Sequence, residues 1–177
     1  HSSDQHPWFE ESAASRDGDK ADWYVWADPA PDGGPPNNWI SSFGGRAWRW
    51  EPRRAQYCYR PFLRSQPALN LANQQVMAEM LDVMRFWLDL GIDGFRLDAI
   101  QCLSFDGALR SNPPARDAEN PSVGGGPNNP FKGQMHLFDR DVPEAIPLLH
   151  HIRRVADEYD PPRALIGELA DVDSSRL

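Results

Sequence analysis

The sequence lacks a long hydrophobic run and an excess of positive charge. No segment approaches the 18 apolar residues that a membrane-spanning helix needs, so we expect no transmembrane helix. The 177 residues carry a formal net charge of −8, whereas proteins that bind nucleic acids through phosphates normally have a basic surface. The composition therefore argues against both membrane-spanning and nucleic-acid-binding proteins.

Cysteine is also scarce. The chain has two, Cys58 and Cys102, which we interpret as unpaired thiols, because so few thiols suit a reducing compartment or simple burial. No signal peptide is visible, and we expect a cytoplasmic location, although a chain that begins at His1 without a methionine says little about secretion.

Turn-forming and aromatic residues are abundant. The 17 Pro and 13 Gly, with seven Trp and eight Phe, are prominent in residues 1–68, which we predict to form an irregular, loop-rich subdomain with short strands at 22–27 and 56–60. Aromatic side chains beside polar loops suit carbohydrate binding, although packing in a core is their more frequent role.

The pattern becomes regular in residues 69–177. Apolar spacing predicts a helix over 73–91, with Asn73 as its N-cap and Gly91 as its stop signal. A buried strand is predicted to follow at 93–100.

A second helix and strand are predicted further along the chain. The helix covers 141–160, where Asp141 and Glu144 could form a capping box, and the strand covers 163–169. Helix, strand, helix and strand in this order imply two parallel strands joined by a right-handed crossover. The segment 111–133 is rich in Gly and Pro and is interpreted as a long loop, of a length that is commonly functional or disordered.

Both predicted strands end in charged residues. Arg96 and Asp98 end the first, and Glu168 ends the second. Ligands of parallel α/β sheets bind beyond the carboxyl ends of the strands, and an arginine beside Asp98 would stabilise its negative charge. Adjacent strands lie ~4.8 Å apart, so the two carboxyl groups can reach the ~5–5.5 Å separation of a retaining glycosidase. A structural ion pair and a solvated glutamate remain the alternative.

The segments around these carboxylates resemble those of a known family. "GIDGFRLDAI" and "LIGEL" resemble two catalytic motifs of the α-amylase family of glycoside hydrolases. "HSSDQHPWFEES" and "SSFGGRAW" resemble the subdomain of its α-glucosidase and oligo-1,6-glucosidase branch. The resemblance implies a fragment of a (β/α)8 TIM barrel, from the end of the third strand to the fifth. Residues 1–68 would be the subdomain inserted after the third strand, and residues 69–177 would carry strands four and five.

The resemblance also implies catalytic roles. Asp98 matches the nucleophile, Glu168 the general acid and base, and Arg96 the arginine that holds the nucleophile. The family's third catalytic carboxylate would lie outside this chain, so we expect the isolated chain to be inactive and poorly stable. No cofactor and no metal are implied. A calcium-binding role for the acidic turn 17–22 is disfavoured, because it lacks the spacing of an EF-hand.

Further residues match substrate-binding positions of the family. His1 matches a histidine that hydrogen-bonds the sugar in the −1 subsite, and Phe43 an aromatic that packs on that sugar. Ala99 follows the nucleophile, where a small residue implies α-1,4 rather than α-1,6 linkages. Ala68 and Arg60 depart from the family pattern, in which aspartate and histidine are usual.

The resulting hypothesis is a retaining α-glucosidase that acts on short oligosaccharides. Two alternatives are a transglucosylase or isomerase of the same family, such as a trehalose synthase or sucrose isomerase, and a non-catalytic family member. His136 lies in the long loop near the expected site, where a structural role is favoured over contact with the leaving group. His150 and His151 are interpreted as surface residues of the second helix.

Overall fold

A computed structural model describes residues 1–115 and 129–169 of the chain. Part of the long loop, 116–128, and the residues after 169 lie outside the described part. No helix within it is long and apolar enough to cross a membrane. The helices are α1 (Pro7–Ala14), α2 (Gln74–Asp89) and α3 (Ala145–Asp157), and the strands are β1 (Trp26–Ala27), β2 (Trp48–Glu51), β3 (Gln56–Tyr59), β4 (Gly94–Leu97) and β5 (Ala164–Gly167).

The first 68 residues form an antiparallel sheet in the order β1-β3-β2, with α1 beside it. The strand predicted at 22–27 is shorter than expected, since β1 covers only its last two residues and Tyr24 makes an isolated bridge to Leu69. Neither β2 nor α1 was predicted. The start of α1 nevertheless has a sequence signal, because Pro7 occupies the first helical turn and the ring of His6 accepts a hydrogen bond from the N–H of Trp8.

Tryptophan side chains hold this loop-rich region together, as the composition predicts. Trp39 is fully buried and donates from Nε1 to the carbonyl of Arg110. Trp48 is buried beside it and donates from Nε1 to Oδ1 of Asn37 at 2.7 Å. Each indole thus buries a large apolar area while its N–H group keeps a hydrogen-bond partner. Contacts of this kind stabilise the irregular backbone in the absence of long helices.

The predicted helix over 73–91 is confirmed. Asn73 caps α2 by accepting from the N–H groups of Gln75 and Val76, and Gly91 follows the helix with φ 96°. The inner face of α2 packs against α3 through Met84 and Leu88.

The start of the second helix differs from the prediction. Glu144 is the N-cap of α3 but makes no side-chain hydrogen bond, so the capping box with Asp141 is wrong. Asp141 has φ 53°, and its backbone N–H donates to the carbonyl of Gln101. The segment before α3 is therefore bound to the region that follows β4 instead of extending the helix.

Strands β4 and β5 are parallel and pair in register from Gly94 with Ala164 to Leu97 with Gly167. They are shorter than the predicted strands and are not fully buried. Ile166 is 67% exposed, because within the described residues β5 pairs with β4 alone and α3 covers only part of it. The expectation of buried strands is therefore wrong for both, since β4 has no fully buried residue and β5 is mostly exposed.

Candidate active site

The backbone brings Asp98 and Glu168 to the same edge of the parallel sheet. The N–H of Glu168 donates to the carbonyl of Leu97 at 2.8 Å, and the N–H of Ile100 donates to the carbonyl of Glu168 at 3.2 Å. The hydrogen-bond ladder therefore continues one step past both strands. As a result, the two carboxylates are positioned by backbone hydrogen bonds rather than by flexible loops.

One arginine contacts both carboxylates. Nη2 of Arg96 lies 3.3 Å from Oδ1 of Asp98 and 2.5 Å from Oε2 of Glu168. The two oxygens can therefore be no further apart than the sum of these distances, about 5.8 Å, which is compatible with the ~5–5.5 Å of retaining glycosidases. The sequence predicts the contact with Asp98; the closer contact with Glu168 is an additional finding.

The charged groups are open to solvent. The exposed fractions of the side chains are 57% for Arg96, 71% for Asp98 and 42% for Glu168. Electrostatic interactions between such exposed groups are weak, because water and salt screen them. In this chain the three charged groups lie together, but other residues do not enclose them.

A cleft of about 410 Å³ lies beside the carboxylates. Five of the six residues proposed from the sequence line it, and Arg96 contacts two of them from the adjoining side. Sequence reasoning therefore selected residues that meet in space, although residues as far apart as 1 and 168 contribute. The five are His1, Phe43, Asp98, Ala99 and Glu168.

His1 and Phe43 both lie near the ring of Phe62. The ring centroids of His1 and Phe62 are 5.1 Å apart, and those of Phe43 and Phe62 are 6.4 Å apart. Nε2 of His1 also lies 3.1 Å from Nε2 of Gln66, and Phe43 is 52% exposed. Phe43 is thus not a core residue here, and its ring is available to a ligand in the cleft.

Ala99 has a left-handed backbone with φ 48° and ψ 49°. It ends the extended chain of β4 and precedes a 3-10 helix, Ile100–Cys102. The conformation is unfavourable for side chains with a branched Cβ, so a small residue at this position has a backbone reason as well as any effect on the substrate. Cys102 also lines the cleft, and burial raises its pKa to about 11.

The structure adds Arg140 to the cleft, a residue that sequence reasoning missed. Its Nη2 donates to Oγ of Ser42 at 3.1 Å, and its guanidinium carbon lies 4.5 Å from the ring centroid of Phe131. Nothing in the local sequence signals this position, because it depends on contacts with a segment about 100 residues earlier in the chain.

His136 has the structural role that was favoured. Both its ring nitrogens have partners, since Nδ1 lies 2.8 Å from Oδ2 of Asp139 and Nε2 lies 2.8 Å from the carbonyl of Phe131. The pair with Asp139 is buried, and Asn112 donates to the same carboxylate at 2.9 Å. His150 and His151 are exposed on α3. Arg60 is well supported despite departing from the family pattern, because it pairs with Asp4 at 3.0 Å.

Comparison with known proteins identifies the family. The chain is 52% identical to a probable alpha-glucosidase of Rhizobium meliloti (strain 1021) over 97% of its length, and 48% identical to an oligo-1,6-glucosidase of Heyndrickxia coagulans over 59%. It covers 31% and 19% of those two proteins. It also resembles the crystal structure of the alpha-glucosyl transfer enzyme XgtA, with 49% identity and a TM-score of 0.93, over 98% of this chain and 32% of that one.

The chain thus spans less than a third of the length of these relatives. The family described as alpha amylase, catalytic domain, which is a (β/α)8 barrel, matches residues 1–177 in full. The chain therefore belongs to the alpha-amylase family, in the branch that includes alpha-glucosidases and oligo-1,6-glucosidases.

Proposed function

We propose that the protein is a retaining α-glucosidase that hydrolyses terminal α-1,4-glucosidic bonds of short oligosaccharides. The observation that carries the proposal is the contact of Arg96 with both Asp98 and Glu168 at one edge of the parallel sheet. The separation that this contact imposes suits a nucleophile and an acid on either side of one glycosidic bond. It leaves too little room for the water molecule that an inverting enzyme places there.

The reaction would proceed by two displacements. An oxygen of Asp98 attacks the anomeric carbon and forms a β-glucosyl ester, while Glu168 gives its proton to the leaving oxygen. Water then attacks the anomeric carbon of the ester, Glu168 takes the proton from that water, and glucose leaves as the α anomer. The bond between glucose and Asp98 breaks in this second step, which restores both carboxyl groups.

The contacts of Arg96 with Asp98 and Glu168 have different consequences for the first and second displacements. A guanidinium group against Asp98 stabilises the anion that attacks. The same group also contacts Glu168, which accepts a proton from water in the second step. For the first step Glu168 must carry a proton, so we expect its contact with Arg96 to lengthen when substrate occupies the cleft.

The substrate would lie in the cleft between Phe62 and the carboxylates. The exposed ring of Phe43 offers an apolar face, and aromatic faces pack well on the C–H groups of a sugar. Ala99 adds little bulk next to the nucleophile, which agrees with an α-1,4 preference. Glucose units joined by this linkage are the substrate class that we propose.

Hydrolysis of maltose and isomaltose by the full-length protein tests this proposal. We expect a higher kcat/KM for maltose. We also expect NMR spectra recorded early in the hydrolysis of 4-nitrophenyl α-glucoside, which releases a single glucose, to show the α anomer. A preference for isomaltose would overturn the proposed linkage. Initial release of β-glucose from the nitrophenyl substrate would overturn the retaining mechanism.

Glucosyl transfer is the second candidate function. It is supported by the similarity to an alpha-glucosyl transfer enzyme, because hydrolases and transglucosylases share the first displacement and differ in what attacks the ester. The open cleft beside Asp98 can admit a sugar hydroxyl as well as water. Chromatography of the products from concentrated maltose separates the two: glucose alone indicates hydrolysis, and new disaccharides or trisaccharides indicate transfer.

A further inference from the structure

Arg140 places a positive charge on the cleft wall that the proposed mechanism does not use. Among the described residues it has no acidic partner, since its contacts are with the hydroxyl of Ser42 and the ring of Phe131. Its Nε atom is buried and has no hydrogen-bond partner in residues 1–115 and 129–169. The hydrogen bond to Ser42 uses only one N–H of the two terminal nitrogens, so this end of the guanidinium group can still donate to an oxyanion in the cleft.

The position of Arg140 is fixed by a buried scaffold behind it. The ring of Phe131 stacks on that of His136 with a centroid distance of 3.5 Å, and His136 pairs with Asp139. The next residue, Asp141, donates its backbone N–H to Gln101, in the 3-10 helix that follows Ala99. Because the guanidinium group is held on two sides, little conformational entropy is lost when a ligand binds to it.

Further arginines extend the positive charge beyond the catalytic cleft. A second cleft of about 360 Å³ shares Phe62 with the first. Within the described chain its lining contains no acidic residue, and Arg60 alone of its arginines has an acidic partner, Asp4. The chain has 26 acidic and 18 basic residues, so this concentration of positive charge is opposite to the overall balance. The arginines that line the second cleft are Arg46, Arg49, Arg60 and Arg64.

We propose that Arg140 is a specificity-determining residue that binds a carboxylate or phosphate on the leaving group of the substrate, with the arginine-lined cleft beyond Phe62 accommodating larger anionic leaving groups. The inference rests on the proposed glucosidase function and makes its substrate more specific. The two oxyanions share the chemistry that a guanidinium group recognises, namely paired oxygen acceptors with negative charge.

Two matched pairs of substrates test the inference on the full-length protein. Maltobionate and maltitol have the same open-chain leaving group, and they differ in a carboxylate against a neutral CH2OH group. Maltose 1-phosphate and maltose differ in a phosphate on the leaving glucose. We expect kcat/KM for consumption of at least one anionic substrate to exceed that of its neutral counterpart by about tenfold, with a KM effect larger than the kcat effect and a preference that weakens in high salt.

Variants assign the preference to Arg140. We expect R140Q to reduce the preference for the anion to within about twofold and R140K, which keeps the charge, to retain part of it. R110Q is the matched control, because Arg110 also lies over an aromatic ring, Phe138, but pairs with Asp106 and lines neither cleft. Thermal unfolding checks that each variant is folded.

The outcomes separate this inference from the function on which it rests. Turnover of maltose without a preference for either anionic substrate would overturn the inference and leave the glucosidase standing. A preference that survives unchanged in R140Q would overturn the role of Arg140. Failure of the wild-type protein to consume any of the four substrates would overturn the proposed function together with the inference.

Discussion

Asp98 and Glu168 share one guanidinium nitrogen, Nη2 of Arg96, at 3.3 Å and 2.5 Å. Three residues from two parallel strands thereby form a single charged group at the edge of the sheet. The distance between the carboxylates is therefore limited by their two contacts with Arg96 as well as by the spacing of the strands.

Arg96 is expected to position the two carboxylates rather than to react. In the full-length protein, R96Q removes the positive charge and shortens the side chain, so the carboxylates repel each other and move from their productive geometry. We expect kcat to fall by about 10²-fold with a smaller change in KM. R153Q, which removes an exposed pair with Asp157 at 2.7 Å, is the control; equal activity of R96Q and R153Q would contradict the role of Arg96.

Glu168 is expected to transfer protons in both steps. E168Q should reduce maltose hydrolysis by about 10³-fold, since general acid–base catalysis contributes about 10²–10⁴-fold. The loss should be smaller for 2,4-dinitrophenyl α-glucoside, whose leaving group needs no proton. Azide should restore part of the turnover of that substrate, because it attacks the ester without a general base. Equal losses for both substrates, with no effect of azide, would argue against this assignment.

Gly94 is expected to be essential for the pairing of β4 with β5. A Cβ at Gly94 would overlap the backbone carbonyl of Ala164, which cannot move without breaking the ladder, whereas a Cβ at Gly107 would meet no atom within 4 Å. We expect G94A to lower the free energy of unfolding of the full-length protein by about 3 kcal/mol and G107A to change it little. Chemical denaturation measures both, and a stability of G94A equal to that of G107A would show that the strands are not paired as described.

The two thiols are expected to be unreactive at neutral pH. Burial raises the pKa of Cys58 to about 12 and that of Cys102 to about 11, from a reference value of 9.0. Little thiolate forms below pH 9, so both should be modified by iodoacetamide at pH 8 far more slowly in the native protein than in urea. Mass spectrometry of the labelled peptides measures this, and rapid native labelling would contradict the raised pKa values.

The raised pKa values of the two thiols also determine whether stability rises or falls with pH. Because the pKa of each thiol is raised in the folded state, its contribution to the free energy of unfolding is fully present below pH 9. This contribution is lost as the pH rises towards 12, because the thiol of the unfolded chain loses its proton first. C58A should therefore reduce the slope of unfolding free energy against pH in that window. A slope that is unchanged in C58A would show that the thiol of Cys58 titrates normally.

The parts of the fold that sequence predicts best have local signals. The start and end of α2 are encoded by Asn73 and Gly91, whose roles depend only on the helix itself. The positions of Asp98 and Glu168 are also predictable, because strands of a parallel sheet end at one edge and the motifs mark those ends.

Other features depend on tertiary contacts that no local pattern records. The extended chain after β4 ends at Ala99 because the backbone turns there into a 3-10 helix, although the apolar pattern continues to Ile100. Asp141 would suit a capping box, but its N–H is bound to Gln101. The place of Arg140 in the cleft depends on Ser42, about 100 residues earlier in the chain.

Identification of the residue that carries the glucosyl group tests the central claim most directly. The full-length protein would be incubated with 5-fluoro-α-glucosyl fluoride, a substrate whose ester intermediate hydrolyses slowly, then digested and examined by mass spectrometry. We predict one added fluoroglucosyl group on the side chain of Asp98, and its absence in D98N. A sugar attached to Glu168 or to another residue, or an active enzyme that never carries a label, would contradict the account.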